Sequence, residues 1–380
     1  MDKTAAFIAA LVSLVALALV GVQAGGDSEF DFGDWRSAGD DEHKLTVIGD
    51  DHTGFLKSGT YPNFTLTGWS KGSGWYFDGW YDENGNLLSR EKTYTITING
   101  DTTVRAASYG GEKLDSFYVD TVVITPDDIG GATEVRNHYS GDTYEISKSG
   151  TPIPAGRYDY TNTFLFFIPI GHDKLFDGHY ERHFSWTYGG KQYSFTMSGT
   201  MAEADKAMDV YRGPSCADGR RYFLNYGNVQ SVSDKLMGMC SGMSGDKNRA
   251  DFVLAYVQNC ISYERDKDYN ESREYWKPAF QTLLEAKGDC EDSAILYSCL
   301  MKAAGFDSAL VTYDHNVKNE RDTGHAVAAV ALRDGPSDGA SFVKDGKTLY
   351  YVEPGGRGMH VGEPWDDYYS STNRAEILLL

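Results

Sequence analysis

The sequence predicts an α+β protein in which β-rich modules precede a C-terminal domain made of a cysteine-bearing helix packed on an antiparallel sheet. Three observations support this fold class. Short apolar runs of period two, separated by Gly and Asn turns, occupy most of residues 44–235. From about residue 246 the apolar spacing changes to three and four, which indicates helices. Finally, a cysteine at a predicted helix start is followed by a histidine and a glutamate at predicted strand ends.

Length and charge limit the classes of function. A chain of 380 residues normally forms two or three domains. Acidic residues outnumber basic ones by 55 to 35, giving a net charge of −20. Nucleic-acid binding requires a basic surface, so this balance argues against nucleic acid as a partner and also against docking on anionic lipid headgroups. The acidity supports solubility and attracts divalent cations weakly.

The N-terminus carries one long apolar run. Residues 5–22 contain a single Ser and no charge, which is nearly enough to span a bilayer as a helix. Lys3 precedes the run and an acidic stretch follows it, so the rest of the chain is expected to be exported. We therefore predict either a cleaved signal peptide or a membrane anchor in residues 1–24, followed by an acidic linker at 25–43. The protein is expected at the cell surface, anchored in the membrane by this helix, or secreted.

No second run is long enough to span a membrane. The apolar segment 164–170, FLFFIPI, is too short and is expected to be a buried strand.

Export permits disulfides, but the five cysteines leave at least one thiol free. Cys290 is the candidate free thiol. Cys260 and Cys299 fall on predicted core helices, where buried thiols are expected, and Cys216 with Cys240 is a candidate bridge.

Residues 44–110 are predicted to form a small β-module. Asn84-Gly85 is a hairpin turn signal between two of its strands. The segment WYFDGWYDENGNLLSREKTYTITINGDTTVRA resembles the Listeria–Bacteroides, or internalin B-type, repeats of cell-surface proteins, with Gly79-Trp80-Tyr81 as its core. This resemblance implies a β-grasp-like spacer or adhesion module, with cell-surface or matrix proteins as partners. A second β-rich domain is predicted at 115–240, with no catalytic constellation.

The informative segment is GDCEDSA. Gly288 is expected to end a short helix and Asp289 to cap the next one, with Asp292 completing a capping box. Gly305 is expected to end that second helix. Cys290 would then occupy its first position. The buried stripe of this helix is predicted to comprise Ile295, Leu296, Cys299, Leu300 and Ala303.

A thiol at a helix N-terminus has a chemical consequence. A free cysteine titrates near ~8.5, and the helix dipole stabilises the thiolate, which is the nucleophilic form. The charges of Asp289, Glu291 and Asp292 oppose this effect unless the side chains point away or bind a cation. The three carboxylates are weak calcium candidates, because only three hard oxygen ligands are visible locally. Helix capping and ordinary surface charge explain them better, and no other cofactor is indicated.

Two strand ends complete the constellation. His325 opens the apolar run HAVAAVAL, and Glu353 ends the run KTLYYVEP. Residues 333–347 are rich in Gly and Asp and are expected to join the two strands as a hairpin, which brings His325 and Glu353 together. The acid would fix the imidazole tautomer and stabilise its charged form. Asp322 and Asp334 are lower-ranked substitutes for Glu353.

Together, GDCEDSA before a helix, GHA opening a strand and YYVEP resemble the transglutaminase-like superfamily, and within it the prokaryotic branch with DCED around the nucleophile. The resemblance covers residues 245–380 and implies a papain-like fold. It implies Cys290 as nucleophile, His325 as base and Glu353 as orienting acid, although many members carry Asp at the third position. It also implies an oxyanion site made by the cysteine's backbone N–H and an upstream polar side chain, for which Gln281 is the candidate. Some related thiol proteases bind calcium beside the nucleophile.

The expected function is that of an exported thiol enzyme acting on amide bonds of a protein or peptide substrate. Hydrolysis, as in a cysteine protease or amidase, is favoured over transglutaminase chemistry because water is always present. Two alternatives remain open. One is a non-catalytic surface binding or adhesion protein that retains the fold, and the other is an adhesin whose C-terminal domain crosslinks surface chains.

Overall fold

The computed structural model describes residues 40–380, except for a set of short gaps. The predicted α+β fold class is confirmed. By its contacts the chain divides into two compact units. Unit 1 comprises Met1–Gly111, Thr187–Gln192 and Gly242–Ser244, and unit 2 the remainder. The gaps are residues 41, 49–51, 58–60, 68–74, 111–115, 165–167, 210–222, 266–274, 314–323, 366–368 and 370–374.

Unit 1 is built from strands in its described part. A five-stranded sheet has the order β2-β1-β7-β4-β5, with β1 and β7 parallel, and β3 pairs with β6. The core contains Leu45, Leu66, Trp80, Ile98, Val104 and Ala106. The strands are β1 (Glu42–Ile48), β2 (His52–Lys57), β3 (Tyr61–Thr67), β4 (Trp75–Asp82), β5 (Leu87–Ser89), β6 (Thr93–Ile98) and β7 (Thr102–Gly110).

The turn at Asn84-Gly85 joins β4 to β5, as the sequence predicts. Gly85 has a φ of 87°, a conformation that favours glycine. The Asp82 carboxylate accepts hydrogen bonds from the backbone N–H groups of Asn84 and Asn86, both at 2.8 Å. The acidic side chain is therefore used to close the turn. The resemblance of this module to surface repeats stays a prediction.

Unit 2 begins with three small sheets, of orders β11-β10-β13-β14, β12-β9 and β16-β15-β8. The expected single strand at 164–170 is wrong, because β13 ends at Phe164 and β14 begins at Ile168, and these residues pair across a hairpin. Ile170 is 40% exposed. The strands are β8 (Ser116–Val119), β9 (Thr121–Ile124), β10 (Glu134–Asn137), β11 (Thr143–Glu145), β12 (Thr151–Pro154), β13 (Gly156–Phe164), β14 (Ile168–Phe176), β15 (His179–Tyr188) and β16 (Lys191–Thr200).

The rest of unit 2 places five helices in its described part against a second group of strands. The helices are α1 (Met201–Met208), α2 (Gln230–Met239), α3 (Asp246–Cys260), α4 (Ala279–Glu285) and α5 (Cys290–Ala303). The strands are β17 (Ser262–Tyr263), β18 (Lys287–Gly288), β19 (Ser308–Tyr313), β20 (His325–Val330), β21 (Ser341–Lys344), β22 (Lys347–Val352) and β23 (Ala375–Leu379).

The antiparallel sheet β21-β22-β20-β19-β23 carries the candidate site where its interior strand β20 begins and β22 ends. Helix α5 packs on β19 and β20, whose residues are almost all buried. The predicted pairing of β20 with β22 is confirmed, with Ala328 opposite Val352. The connection is more than a hairpin, however, because β21 lies within it and pairs with β22 at the sheet edge.

Aromatic packing joins α3 to the sheet of β15 and β16. Along β15 the buried residues alternate with exposed or half-buried ones, as one covered face requires. The ring of Trp186 lies 5.1 Å from that of Tyr256, and Phe184 lies 5.4 Å from the same ring. The long helix before the nucleophile is thereby held between this sheet and α5, against which it also packs.

Helix capping in this region is long-range. Asp246 is the first residue of α3 and does not cap it. Instead the carboxylate of Asp334 accepts hydrogen bonds from the N–H groups of Asp246 and Lys247, at 2.9 and 3.0 Å. Asp334, a lower-ranked candidate for the catalytic acid, is thus a capping residue. Gly305, with a φ of 89°, follows α5 as predicted.

Some expectations from the sequence lie outside the described residues: the apolar run 5–22, most of the linker 25–43, Asp322 and Cys216. None of the helices in the described part is both long and apolar enough to cross a bilayer. Cys240 is a buried free thiol, so the structure does not contain the candidate bridge to Cys216.

Asp251, a residue of α3, binds the chain segment that follows β22. Its buried carboxylate accepts a hydrogen bond from the N–H of Val361 at 2.8 Å and forms ion pairs with Lys247 and His360, at 2.6 and 3.1 Å. Burial alone would raise the pKa of Asp251, but the two positive partners outweigh it and lower the pKa to about 2. The ionised carboxylate therefore stabilises the fold.

We expect this contribution to vanish in acid. Because the folded-state pKa of Asp251 is depressed, its stabilisation is complete above the unfolded pKa near ~4 and is lost as the pH falls through about 2. The contribution is roughly 2 kcal/mol, and about half of it is lost by pH 3. In urea unfolding, Asp251→Asn should have a lower free energy of unfolding than the wild type at pH 6. The difference between the two free energies should become smaller towards pH 3. Asp127→Asn, at an exposed site, is the control. A difference in free energy of unfolding that does not change with pH would contradict the lowered pKa of Asp251.

Candidate active site

Cys290 is the first residue of α5, as the sequence predicts. The preceding segment is fixed by the short parallel pair β17 and β18, in which Tyr263 lies opposite Gly288. A Cβ at Gly288 would lie 2.5 Å from the Cβ of Asp292, so only glycine allows this close approach. Gly288 does not end the preceding helix as expected, because α4 ends at Glu285 and is followed by Ala286, which has a φ of 51°.

The predicted capping box is wrong. The Asp289 side chain makes no capping hydrogen bond. Asp292 instead accepts a hydrogen bond from the backbone N–H of Lys277 at 2.8 Å and lies 3.5 Å from its ammonium group. That ammonium is buried and also contacts Glu285 at 3.2 Å. A buried ammonium group has to be paired with a negative charge, and Asp292 supplies one for Lys277. Asp292 is therefore not available as a calcium ligand.

His325 and Glu353 are in contact. The imidazole Nε2 lies 2.8 Å from Glu353 Oε2. Glu353 is 1% exposed, and its Oε2 also accepts a hydrogen bond from the Tyr351 hydroxyl at 2.8 Å. Gln258 holds the same residue from α3 by donating to its main-chain carbonyl at 3.0 Å. Since Nε2 is used by the carboxylate, Nδ1 is the ring nitrogen that can exchange a proton with a nucleophile.

The Cys290 sulfur lies at the start of β20. It receives a hydrogen bond from the backbone N–H of Ala326, the residue after His325, which favours the thiolate. Its strongest partner is Glu291, because the thiol donates to Oε2 at 3.1 Å. No hydrogen bond joins the sulfur to the His325 ring, although both residues lie in the described part of the chain.

The electrostatics at the sulfur favour the protonated thiol. Burial raises the pKa of Cys290 far above its usual range, and the charge of Glu291 adds to this effect. Burial and the neighbouring Asp289 likewise raise the pKa of Glu291 well above its usual range. Of the three acids, only Asp292 points away from the sulfur, so Asp289 and Glu291 must be neutralised before the thiolate can form readily.

Gln281 is not at the sulfur. Its buried side chain donates a hydrogen bond from Nε2 to Glu285 at 2.8 Å and makes none to Cys290. The expectation that Gln281 completes an oxyanion site is therefore not supported by its position. The bond to Glu285, one turn further along the same helix α4, keeps this amide in the core instead.

Tyr263 lies closer to the candidate site than Gln281. Its ring carbons lie 3.7 Å from the position of a Cβ at Gly355, two residues after Glu353, and its backbone lies beside Gly288. The side chain is 55% exposed. Burial of the hydroxyl end raises the pKa of Tyr263, and the nearby charges of Cys290 and Asp289 contribute. Sequence reasoning missed this residue because a two-residue strand has no periodicity.

The described residues contain one group suited to a metal ion. The ligand atoms of Asp289, Cys290 and Glu291 all lie within 4.8 Å of one another. The calcium set predicted from the sequence thus changes, with the thiol replacing the carboxylate of Asp292.

Comparisons with known structures reveal only distant similarity. A protein from Cytophaga hutchinsonii, provisionally named a cysteine protease, shares 13% identity over 69% of this chain and 75% of its own, with a TM-score of 0.26. A structure named as a TGase shares 14% identity over 50% of this chain and 49% of its own, with a TM-score of 0.25. A provisionally named protease from Parabacteroides distasonis shares 8% identity over 84% and 70%, with a TM-score of 0.24.

The family comparison is more informative. No curated protein matches the chain in sequence. Residues 234–344 match the family described as "Transglutaminase-like superfamily", a stretch that contains Cys290 and His325 and ends before Glu353. The match covers less than a third of the chain, and it includes α3, α4, α5, β19, β20 and β21. Residues 234–344 are therefore similar to the transglutaminase-like superfamily.

Proposed function

We propose that this protein is a thiol hydrolase that cleaves amide bonds of protein or peptide substrates, with Cys290 as nucleophile, His325 as general base and Glu353 as the orienting acid. The observation that carries the proposal is the buried His325–Glu353 contact at 2.8 Å, placed directly beside the strand residue whose N–H binds the Cys290 sulfur. The superfamily match supports the same class of chemistry.

The proposed reaction has two steps. His325 Nδ1 removes the thiol proton as the sulfur attacks the carbonyl carbon, and the imidazolium is stabilised by Glu353. The tetrahedral intermediate collapses when the ring returns that proton to the leaving amine, which departs and leaves a thioester. Water then attacks the thioester with His325 again as base, releasing the carboxylic acid and the free thiol.

The negative oxygen of the tetrahedral intermediate needs hydrogen-bond donors. The backbone N–H of Cys290, at the helix start, has no partner within the helix and can supply one. Tyr263 is our candidate for the second donor, because its hydroxyl end lies near Cys290 and Asp289. An amine acceptor in place of water would give crosslinking by the same thioester, and we favour water because it is always present.

We further propose that the enzyme is exported and acts at the cell surface. The supporting observations are the apolar run at 5–22, the acidic stretch that follows it and the net charge of −20. The repeat-like module at 44–110 would then serve as a spacer or contact surface-bound proteins.

One observation favours a second function. The sulfur donates its hydrogen bond to Glu291 and makes none to His325, as expected for a resting thiol or for a binding module without turnover. The non-catalytic surface protein is therefore the alternative, and thiol reactivity separates the two.

We expect selective labelling and hydrolysis to depend on Cys290. The full chain, incubated with casein and a mixed peptide library, should release new amino termini, and Cys290→Ala should abolish this release. Cys299→Ala, which removes a buried thiol of the same helix, should retain it. An iodoacetamide probe should label Cys290 ahead of the other thiols. Hydrolysis that persists in Cys290→Ala, or labelling no faster at Cys290 than at Cys299, would rule out the enzyme.

Tyr263→Phe should lower kcat about 100-fold while KM changes little, because an oxyanion donor acts on the transition state and not on the bound substrate. Tyr118→Phe, at an exposed hydroxyl in the sheet with β15, is the matched control. Steady-state kinetics on one identified peptide would provide the test. An unchanged kcat would remove Tyr263 from the mechanism.

Glu291→Gln should make the thiol more acidic. The Glu291 charge raises the pKa of Cys290, so its removal should shift the midpoint of alkylation by iodoacetamide to lower pH. The rate would be measured across pH in the presence of a chelator. Glu264→Gln, which removes an acid paired with Lys287, is the control. A midpoint that stays in place would show that Glu291 does not influence the sulfur.

A further inference from the structure

Three consecutive side chains at the start of α5 form a compact set of metal-binding atoms. The ligand atoms of Asp289, Cys290 and Glu291 lie within 4.8 Å of one another, and the sulfur is 3.1 Å from Glu291 Oε2. Asp289 is 8% exposed and Glu291 7% exposed, so two carboxyl groups are held largely away from water. Placing such groups together is costly unless a proton or a cation separates them.

A second observation indicates a missing partner. Asp289 Oδ1 is buried and has no hydrogen-bond partner among the described residues. A buried carboxylate oxygen without a partner costs free energy, and natural sites normally satisfy it. Capping does not explain it, because the Asp289 side chain makes no capping hydrogen bond to the backbone of α5. The same carboxyl group contributes a ligand atom to the cluster that contains the sulfur.

The donor set identifies the class of ion. Calcium takes six to eight oxygen ligands, and the third acid of this turn, Asp292, is occupied by the buried Lys277. One thiolate with two carboxylates suits a borderline metal such as zinc, which binds sulfur at about 2.3 Å and carboxylate oxygen at about 2.0–2.2 Å. Tetrahedral ligands at those lengths lie roughly 3.5 Å apart. The atoms therefore need only small side-chain rotations.

We propose that Asp289, Cys290 and Glu291 bind a zinc-class divalent ion that occupies the nucleophile and holds the enzyme inactive. On binding, the thiol proton passes to solvent, and the sulfur lone pair that would attack the substrate is donated to the metal. The inhibitory part of this inference rests on the proposed function, whereas the binding part does not. Such a site makes the enzyme responsive to metal without any separate regulatory domain.

The binding test uses Co²⁺ as a spectroscopic substitute for zinc. The full chain, stripped with a chelator, should develop one thiolate-to-cobalt charge-transfer band on titration, and zinc should displace it. The band should be lost in Cys290→Ala and kept in Cys299→Ala, the matched control from the same helix. Asp289→Asn and Glu291→Gln should each raise the cobalt dissociation constant about tenfold or more. Two independent ligand variants keep the test decisive if one fails to fold.

Two further measurements separate this site from its alternatives. Zinc should protect Cys290 from iodoacetamide while calcium at the same concentration should not, and equal protection by calcium would overturn the assignment to a zinc-class ion. Absence of the band, or its survival in Cys290→Ala, would overturn the site. If the charge-transfer band forms but the metal-free protein does not hydrolyse substrate, the proposed function is contradicted and the proposed metal site is not. Hydrolysis unaffected by saturating zinc would overturn the inhibition.

Discussion

The candidate site depends on the antiparallel pairing of β20 with β22, which fixes a buried carboxylate against an imidazole. A glutamate that is 1% exposed would be strongly destabilising if it were unpaired. The Glu353 carboxylate avoids this cost through two contacts, with the His325 ring and the Tyr351 hydroxyl, while Gln258 fixes the main chain of the same residue. The same contacts hold the Glu353 carboxylate in one position and the His325 imidazole in one orientation. Preorganisation of the base is thus a consequence of satisfying a buried charge.

The nucleophile experiences two opposing effects. Its position at the start of a fourteen-residue helix and the Ala326 N–H favour the thiolate. Burial and the adjacent Glu291 favour the thiol, and these prevail, since the pKa of Cys290 is raised. A helix dipole contributes typically about 0.3–1 kcal/mol, which is too little to offset desolvation together with a carboxylate at 3.1 Å. Formation of the thiolate therefore requires a change at Glu291 or the approach of the charged imidazole.

The features that sequence could predict are those carried by local patterns. The helix that begins at Cys290, the strand that begins at His325 and the end of β22 near Glu353 each follow from apolar spacing within a few residues. Features set by distant partners could not be read in this way. Asp334 caps α3 from 88 residues away, and nothing in the local sequence of Asp246 indicates it. Gln281 is the oxyanion candidate that the resemblance implies, yet the direction of its side chain is decided by Glu285 in the folded core.

The two acids that follow Cys290 show why neighbouring positions with the same chemistry have different roles. Successive residues of a helix are separated by about 100° around its axis, so Glu291 and Asp292 cannot face the same environment. Glu291 lies against the sulfur, where its charge governs thiol reactivity. Asp292 turns towards the core and pairs with the buried Lys277, which also contacts Glu285 and the Lys287 carbonyl. That pairing anchors the helix start to α4 and β18, so the precise placement of the sulfur relies on an acid that never touches it.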